Sequence, residues 1–418
     1  MQKNIVKLFS FVFIVLLTSC LITSCGVQKV TYEFYYDDIF HALNDVGNQA
    51  VGKKSVNQHD NNKIAVLKQS NDVKITLLSD ITTNDTLMLK NATLDLNGHV
   101  LTMKNDAKLI VDGDSIIVGE IKGSEMISTS DNATLITIRR NSNCSVYSGQ
   151  FNVNSNNGHL VAFHVYGSLK LYNSRVCVNG NHTIEDSSSV YGIYGNLFST
   201  VAIAHSTIEA YTKDGSAYGV FNGDKCEISY SNITAFSNYM SNETDFVNCA
   251  IGCYSDGDLT LTNCNISGIH SGVNSCGSLE VDGGTYSGYG HGGFYFAGNG
   301  KTSYVYNSTI KEMDMPEGYV THGPISTNSG FYIGGQKNNN NLVVHMDSCD
   351  IQGSKYAFVL RGTSGEQNNS LYIRRSKINK SLIRIDNNTH KLYIGENCNF
   401  DANNTNLPEA VFFMGNNG

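Results

Sequence analysis

One eight-residue pattern recurs along this chain and limits the folds that it can adopt. An apolar residue occupies positions 3 and 8 of each copy and position 1 of all copies except the one that begins at Ser303, and a small residue occupies position 6. The spacing between copies varies from 20 to 41 residues, which is typical of a solenoid of strands with loops at its corners. The copies are residues 144–151, 169–176, 201–208, 226–233, 259–266, 279–286, 303–310, 344–351, 371–378 and, with one extra residue, 392–400.

A second short apolar segment accompanies most copies and carries a glycine. No repeat contains a stretch long and periodic enough for a crossover helix, so consecutive strands must run parallel without helices between them. Two strands per repeat without a helix predict an all-β fold, a parallel β-helix. The segments are residues 191–195, 218–222, 251–255, 271–275, 292–296, 329–333 and, with Ala357 in place of glycine, 356–360.

The composition agrees with a folded, strand-rich chain. Charged residues make up only 16% of it, whereas Gly (40) and Tyr (23) are abundant, so neither a disordered nor a mainly helical protein is expected. The net charge of −8 and the lack of a basic stripe argue against a nucleic-acid partner.

The N-terminus has the features of an export signal. Lys3 and Lys7 precede a short apolar stretch, and two tetrapeptides that end in Cys20 and Cys25 resemble the lipobox of bacterial lipoproteins. Cys25 is the preferred lipidation site because a polar segment follows it, and Cys20 is the alternative. An ordinary cleaved signal is the other interpretation. The expected location is the bacterial cell envelope, with a lipid anchor as the only membrane contact, in the outer membrane and with surface exposure as an open alternative.

Three regions are expected. Residues 1–24 form the lipoprotein signal peptide, residues 25–72 form a linker and a helical cap, and residues 73–418 form the β-helix domain. In the cap, Ile39, Phe40, Leu43 and Val46 fall on one helical face, which predicts a short helix over the open end of the solenoid.

Residues 73–103, and above all the stretch LDLNGH within them, resemble the opening coils of the pectate-lyase-like superfamily. The resemblance covers roughly residues 73 to 415 and implies a right-handed, single-stranded parallel β-helix of about 11–13 coils. It implies no particular chemistry, because this superfamily includes lyases, hydrolases, epimerases and non-catalytic adhesins.

Strand alternation predicts a row of outward-facing side chains on the glycine-containing strands, with the glycines on the same outer face. This row is a candidate ligand-binding strip, because aromatic rings can pack against sugars. The alternatives are that the rings only stabilise neighbouring strands, or that a loop covers them. The row consists of Tyr194, Phe221, Tyr254, Asn274, Tyr295, Tyr332 and Val359.

The catalytic interpretations are weaker than the binding interpretation. The Gly-His-Gly around His291 resembles polygalacturonases, but that family's aspartate motifs are absent, and Asp256 is expected about 20 Å from His291 in the repeat register. A calcium-dependent lyase would need clustered acids, whereas Glu280 and Asp282 have no acidic partner on the next coil.

Histidines and cysteines give no predicted metal or cofactor site. His270 and His291 share a register on consecutive coils, so they should be neighbours, with an incidental role favoured over a metal or pH-linked one. The nine cysteines after the signal are interpreted mainly as small core residues rather than as a disulfide framework. A zinc site is the disfavoured alternative, formed by Cys249, Cys253, Cys264 and Cys276.

The sequence therefore predicts an envelope-anchored β-helix lipoprotein that acts as a non-catalytic binding or adhesion module. The expected partner is a polysaccharide or a cell-surface ligand, bound along an extended face of the solenoid. The alternative is a polysaccharide lyase or glycoside hydrolase of the pectate-lyase-like superfamily with an unrecognised site. A purely architectural role is the third interpretation.

Overall fold

The computed structural model is a parallel β-helix with a short N-terminal helix, which confirms the predicted fold class. Two long sheets of stacked strands enclose one continuous apolar core. The structure describes residues 31–36, 39–47, 64–69, 72–105, 107–124, 133–155, 159–180, 189–213, 215–240, 249–298, 301–314, 320–321, 329–334, 342–354, 356–361, 369–379, 382–385, 390–401 and 412–414.

Strands are numbered in chain order. The first sheet contains β1 (Thr31–Tyr36), β2 (Ile64–Gln69), β3 (Asp72–Leu77), β4 (Ile81–Thr83), β6 (Thr93–Lys104), β8 (Asp114–Ser124), β10 (Asn143–Ser155), β12 (Ser168–Tyr172), β13 (Arg175–Gly180), β15 (Thr200–Ala204), β16 (Thr207–Thr212), β18 (Lys225–Ser229), β19 (Asn232–Ser237), β22 (Leu259–Gly268), β24 (Leu279–Gly288), β26 (Thr302–Tyr306), β27 (Thr309–Glu312), β30 (Val343–Asp347), β31 (Asp350–Gln352), β33 (Ser370–Arg374), β34 (Lys377–Asn379), β36 (Lys391–Ile394) and β37 (Asn399–Asp401).

The second sheet contains β5 (Leu87–Lys90), β7 (Leu109–Asp112), β9 (Ala133–Ile138), β11 (Leu160–Val165), β14 (Ser189–Gly195), β17 (Ser216–Asn222), β21 (Ala250–Ser255), β23 (Ser271–Ser275), β25 (Phe294–Phe296), β29 (Ser329–Gly334), β32 (Tyr356–Arg361), β35 (Leu382–Ile385) and β38 (Phe412–Met414). A separate pair joins β20 (Tyr239–Met240) to β28 (Val320–Thr321).

The eight-residue pattern builds the first sheet, and the glycine segments build the second. In one copy, Leu169 and Leu171 are the buried residues of β12, and Val176 is buried at the start of β13. Neighbouring coils pair in parallel, as β12 does with β15. At the N-terminal end, β1, β2 and β3 pair antiparallel instead.

The small residue of the pattern sits at a tight corner between two strands of the first sheet. The residue before it has a positive φ, for example 47° at Asn173 and 50° at His205. The Ser206 hydroxyl accepts a hydrogen bond from the backbone N–H of Ser174 at 3.1 Å and donates one to the carbonyl of Ala204 at 2.8 Å. On the next coil, the Ser231 hydroxyl accepts a hydrogen bond from the backbone N–H of Ser206 at 3.1 Å. A larger residue would not fit at this corner without displacing these bonds.

The glycine column faces the interior, so its predicted position on the outer face was wrong. A Cβ atom on Gly192 would lie 2.5 Å from the carbonyl oxygen of Gly219 and 2.5 Å from Cγ2 of Ile208. Gly192 and Ile193 are both buried, which interrupts the strict alternation of a regular strand. As a result, Tyr191 and Tyr194 both lie on the outer face.

The N-terminal helix α1 (Ile39–Gly47) packs against β5, as expected of a cap. Ile39, Leu43 and Val46 are buried, but Phe40 is 41% exposed, which corrects its predicted place on the buried face. None of the described residues forms a helix long and apolar enough to cross a membrane. The signal peptide (residues 1–24) and both candidate lipidation sites, Cys20 and Cys25, lie outside the described residues.

Candidate functional site

The predicted outward row forms on the second sheet. The rings of Tyr194 and Phe221 stack with centroids 5.1 Å apart at an interplanar angle of 16°. The rings of Phe221 and Tyr254 stack with centroids 4.7 Å apart at an interplanar angle of 7°. The strand register aligns the members of the row from one strand to the next, through Tyr194, Phe221, Tyr254, Asn274, Tyr295, Tyr332 and Val359.

Stacking covers the ring faces of this row. Phe221 has a nearly parallel ring on each side, so its edge rather than its face is turned to solvent. The hydroxyl of Tyr254 donates a hydrogen bond to Oδ1 of Asp256 at 2.7 Å. Burial, with a smaller effect of nearby Cys276, raises the pKa of Tyr254. These contacts support packing between coils, and contact of the row with a ligand stays a prediction.

Three members of the row are buried, which corrects the expectation of a continuous exterior strip. Asn274 and Val359 are each 1% exposed, and Tyr332 is 6% exposed. Tyr332 forms a cluster with Tyr356 and Val359, and Tyr295 packs against it. Alternation gives the direction of a side chain but does not reveal what else packs on the same face, so the sequence could not show this burial.

His270 and His291 are neighbours, as their shared register predicts. Nδ1 of His291 lies 2.8 Å from Nε2 of His270, and both side chains are buried. The ring centroid of His291 lies 4.8 Å from that of Tyr295 and 5.0 Å from that of Tyr332. Burial lowers the pKa of His270 to about 4, so this imidazole is neutral at pH 7. The Gly-His-Gly stretch thus packs among aromatic rings.

The nine cysteines after the signal are all free, and six are buried, which agrees with their interpretation as core residues. Sγ of Cys249 lies 3.2 Å from the hydroxyl oxygen of Tyr218, and Sγ of Cys276 lies 3.7 Å from that of Tyr254. Within the described part of the chain, no group of three or more His, Cys, Asp or Glu side chains could hold a metal ion.

A groove on the outer face of the first sheet, near the C-terminal end, was not predicted. Its first side is an aromatic column on β26, β30, β33 and β36. Successive ring centroids are 5.2, 4.6 and 4.3 Å apart, at interplanar angles of 14°, 15° and 3°. The column consists of Tyr304, His345, Tyr372 and Tyr393.

The second side of this groove is a polar column two residues further along the same strands. It consists of Tyr306, Asp347, Arg374 and Gly395. Nε of Arg374 donates to Oδ2 of Asp347 at 2.7 Å, and Nε of Arg375 donates to Oδ1 at 2.7 Å. The Arg375 hydrogen bonds, with a smaller contribution from the charge of Arg374, lower the pKa of Asp347 to about 2.

We call the space between the two columns the C-terminal groove, and its volume is about 350 Å³. Its ends are open to solvent, because Tyr304 is 40% exposed and Tyr393 is 44% exposed. Among the described strands, none stacks on β36 beyond Tyr393, and this ring is 44% exposed. The sequence carried a signal for this site, because position 2 of the last repeats holds Tyr304, His345, Tyr372 and Tyr393.

Aromatic rings with phenol hydroxyls, an imidazole and a guanidinium group line the C-terminal groove. This set of groups suits a ligand with both apolar C–H surfaces and hydroxyl or acidic groups. No protein-family model, curated protein or solved structure matches the chain.

Proposed function

We propose that the protein is a non-catalytic binding or adhesion module for polysaccharide and that the C-terminal groove holds part of the glycan. The observation that carries this proposal is the end ring of the aromatic column: Tyr393 is 44% exposed and borders a groove of about 350 Å³. Pockets of roughly 300–1,000 Å³ are typical of small-molecule sites. The exposed part of the Tyr393 ring can pack on the C–H face of a sugar ring, and the neighbouring hydroxyls can bind sugar hydroxyls.

Replacement of this end ring is expected to weaken glycan binding. A Tyr393→Ala variant should bind any glycan that the wild type selects on a glycan array about tenfold more weakly, because the aromatic face is lost. Isothermal titration calorimetry with the best array ligand would measure this change. An equal affinity of the variant and the wild type would contradict the proposal.

Tyr147 offers a matched control for this experiment. It is also 44% exposed and stacks on Tyr172 at 5.4 Å and 12°, but it lies on β10, far from the groove along the sheet order. Tyr147→Ala should therefore keep the wild-type affinity. If both variants lost affinity equally, the effect would reflect general destabilisation rather than a lost ligand contact.

We also propose that the chain is an envelope lipoprotein of the pectate-lyase-like superfamily, anchored through Cys25. The lipobox-like tetrapeptides and the LDLNGH stretch support this. In the native host, Cys25→Ser should move the protein from the detergent phase to the aqueous phase of a Triton X-114 partition, whereas Cys20→Ser should leave it in the detergent phase. The reverse result would assign Cys20 as the lipidated residue, and no shift in either variant would favour an ordinary cleaved signal.

The catalytic alternative, a lyase or a hydrolase, stays a prediction. Asp347 is the carboxylate in the lining of the C-terminal groove, and its pKa of about 2 keeps it ionised, which is unsuitable for a general acid at neutral pH. Prolonged incubation with each bound polysaccharide tests the alternative. Release of new reducing ends or unsaturated products would replace the binding role with an enzymatic one.

A further inference from the structure

We propose that the C-terminal groove selects acidic glycans and that Arg374 binds the carboxylate or sulfate group of the sugar. This inference rests on the proposed function and names its ligand class. Arg374 lines the groove on β33, one coil before Tyr393, and its side chain is 58% exposed. The cation and the exposed ring are therefore neighbours on adjacent strands.

One edge of the Arg374 guanidinium is fixed and the rest is open. Nε donates to Oδ2 of Asp347 at 2.7 Å, which orients the planar group. The two terminal nitrogens form no hydrogen bond with the described part of the chain. Because a guanidinium carries its donors in a rigid fork, the open edge can bind a carboxylate or sulfate with two parallel hydrogen bonds.

Gly395 leaves room for such an anion. In the polar column, Gly395 follows Arg374 on the next strand, and a Cβ atom there would lie 3.1 Å from Cβ of Arg374. A side chain at this position would pack on Arg374 and fill the groove beside it. Glycine keeps this side of Arg374 accessible next to the Tyr393 ring.

The charges around the groove favour an anion at this end. Asp347 is only 5% exposed and is shared by Arg374 and Arg375, while Glu396 also lies near Arg375. Lys391 is exposed two residues before Tyr393 on β36, so the two side chains share one face. Burial, and secondarily the charge of Arg374, lower the pKa of His345, which disfavours a charged imidazole in the middle of the column.

Acidic side chains lie at the opposite end. Asp282 occupies the polar column on β24, three strands before Arg374, which corresponds to about 14 Å at the usual strand spacing. Asn307 donates to its carboxylate at 2.8 Å. Glu280 precedes Tyr304 in the aromatic column. An anionic sugar is therefore expected at the Tyr393 end, with the chain extending towards Tyr304.

The test compares acidic polysaccharides with their carboxyl-reduced or desulfated counterparts on one array. Wild type should prefer the acidic forms, and Arg374→Gln should lose roughly ten- to hundredfold in affinity for them, because a charge-assisted bidentate contact disappears. Binding to the neutral forms should not change. Separate comparisons for carboxylated and for sulfated polysaccharides show which of the two acidic groups is bound.

Two further variants make the result decisive. Arg374→Lys keeps the charge but not the fork and should fall between the wild type and Arg374→Gln. Arg175→Gln is the matched control, because Arg175 is 61% exposed and pairs with Glu209 at 2.9 Å on the same sheet; it should retain wild-type binding. In Arg374→Gln, Arg375 still pairs with Asp347, which keeps the buried carboxylate satisfied.

The two proposals fail in different ways. If Tyr393→Ala loses binding but Arg374→Gln keeps the preference for acidic glycans, the groove binds glycans and the role of Arg374 is wrong. If neither variant changes binding, or no glycan on the array is bound, the proposed function and this inference both fail.

Discussion

Acidification from pH 7 to pH 4 is expected to remove about 3 kcal/mol of folding free energy from the coils that contain His270 and His291. The folded-state pKa of His270 is about 4, below its ordinary value of 6.5, because the ring is buried. The unfolded chain therefore binds a proton more readily between these two values. The contribution of the neutral His270 ring to folding stability is fully present above about pH 6.5, and it is lost progressively as the pH falls towards 4.

Hydrogen–deuterium exchange, corrected for the intrinsic pH dependence of amide exchange, measures this loss locally. The amides of β23 and β25 should lose protection between pH 6.5 and 4. Those of β30 should keep it, because the pKa of Asp347 is about 2 and its ion pairs persist in this range. Below about pH 3.8, protonation of Asp347 is expected to reduce the protection of the β30 amides as well.

Two substitutions separate the histidine pair from general acid unfolding. His270→Gln should remove most of the pH dependence of β23 and β25, since the imidazole whose pKa is lowered by burial is then absent. His205→Gln is the control, because His205 lies on the surface and stacks on Tyr230 at 5.1 Å. A wild-type pH response in His270→Gln would show that the buried pair is not the cause.

Gly252→Ala is expected to destabilise the protein by about 3 kcal/mol, which is the upper range for overpacking a core. A Cβ atom at Gly252 would lie 2.6 Å from the carbonyl oxygen of Gly272 and 2.6 Å from Cγ2 of Ile266. The first of these is backbone of the next coil, so the coils would have to separate locally. A fall of roughly 5–10 °C in the thermal midpoint is expected.

Gly98→Ala is the matched control for this substitution. Gly98 has a φ of 79°, but nothing lies within 4 Å of a Cβ atom built on it. The expected cost is therefore only the backbone strain, about 1 kcal/mol, or roughly 2–4 °C. Equal shifts of the two variants would show that contact with the next coil does not restrict Gly252.

The fold was predictable because its determinants are local and repeated. Each corner needs a small residue such as Ser174 or Ser206, and each strand needs alternating apolar residues such as Leu169 and Leu171, so the repeat is visible without coordinates. The inward glycine column was not predictable in the same way. Gly192 and Ile193 are consecutive buried residues, which breaks the alternation on which the prediction relied.

The candidate site was less predictable than the fold. The outward register from Tyr194 to Tyr332 was predicted, but the burial of Asn274 and Tyr332 depends on contacts on the outer face of the sheet. The column that ends in Tyr393 was readable in principle, because its members occupy one position of the repeat. The exposure of Tyr393 could not be read from the sequence, because it depends on what packs against its strand in the folded chain.

The serine corners give the solenoid a direction of assembly. The backbone N–H of Gly149 donates a hydrogen bond to the hydroxyl of Ser174. In the same way, the N–H of Ser174 donates to the hydroxyl of Ser206, and the N–H of Ser206 donates to the hydroxyl of Ser231. Each corner amide is thus completed by a residue that the ribosome adds 25 to 32 positions later. The corner amide of each coil therefore lacks this partner until the following coil packs, so the solenoid is suited to closing one coil at a time from its N-terminal cap.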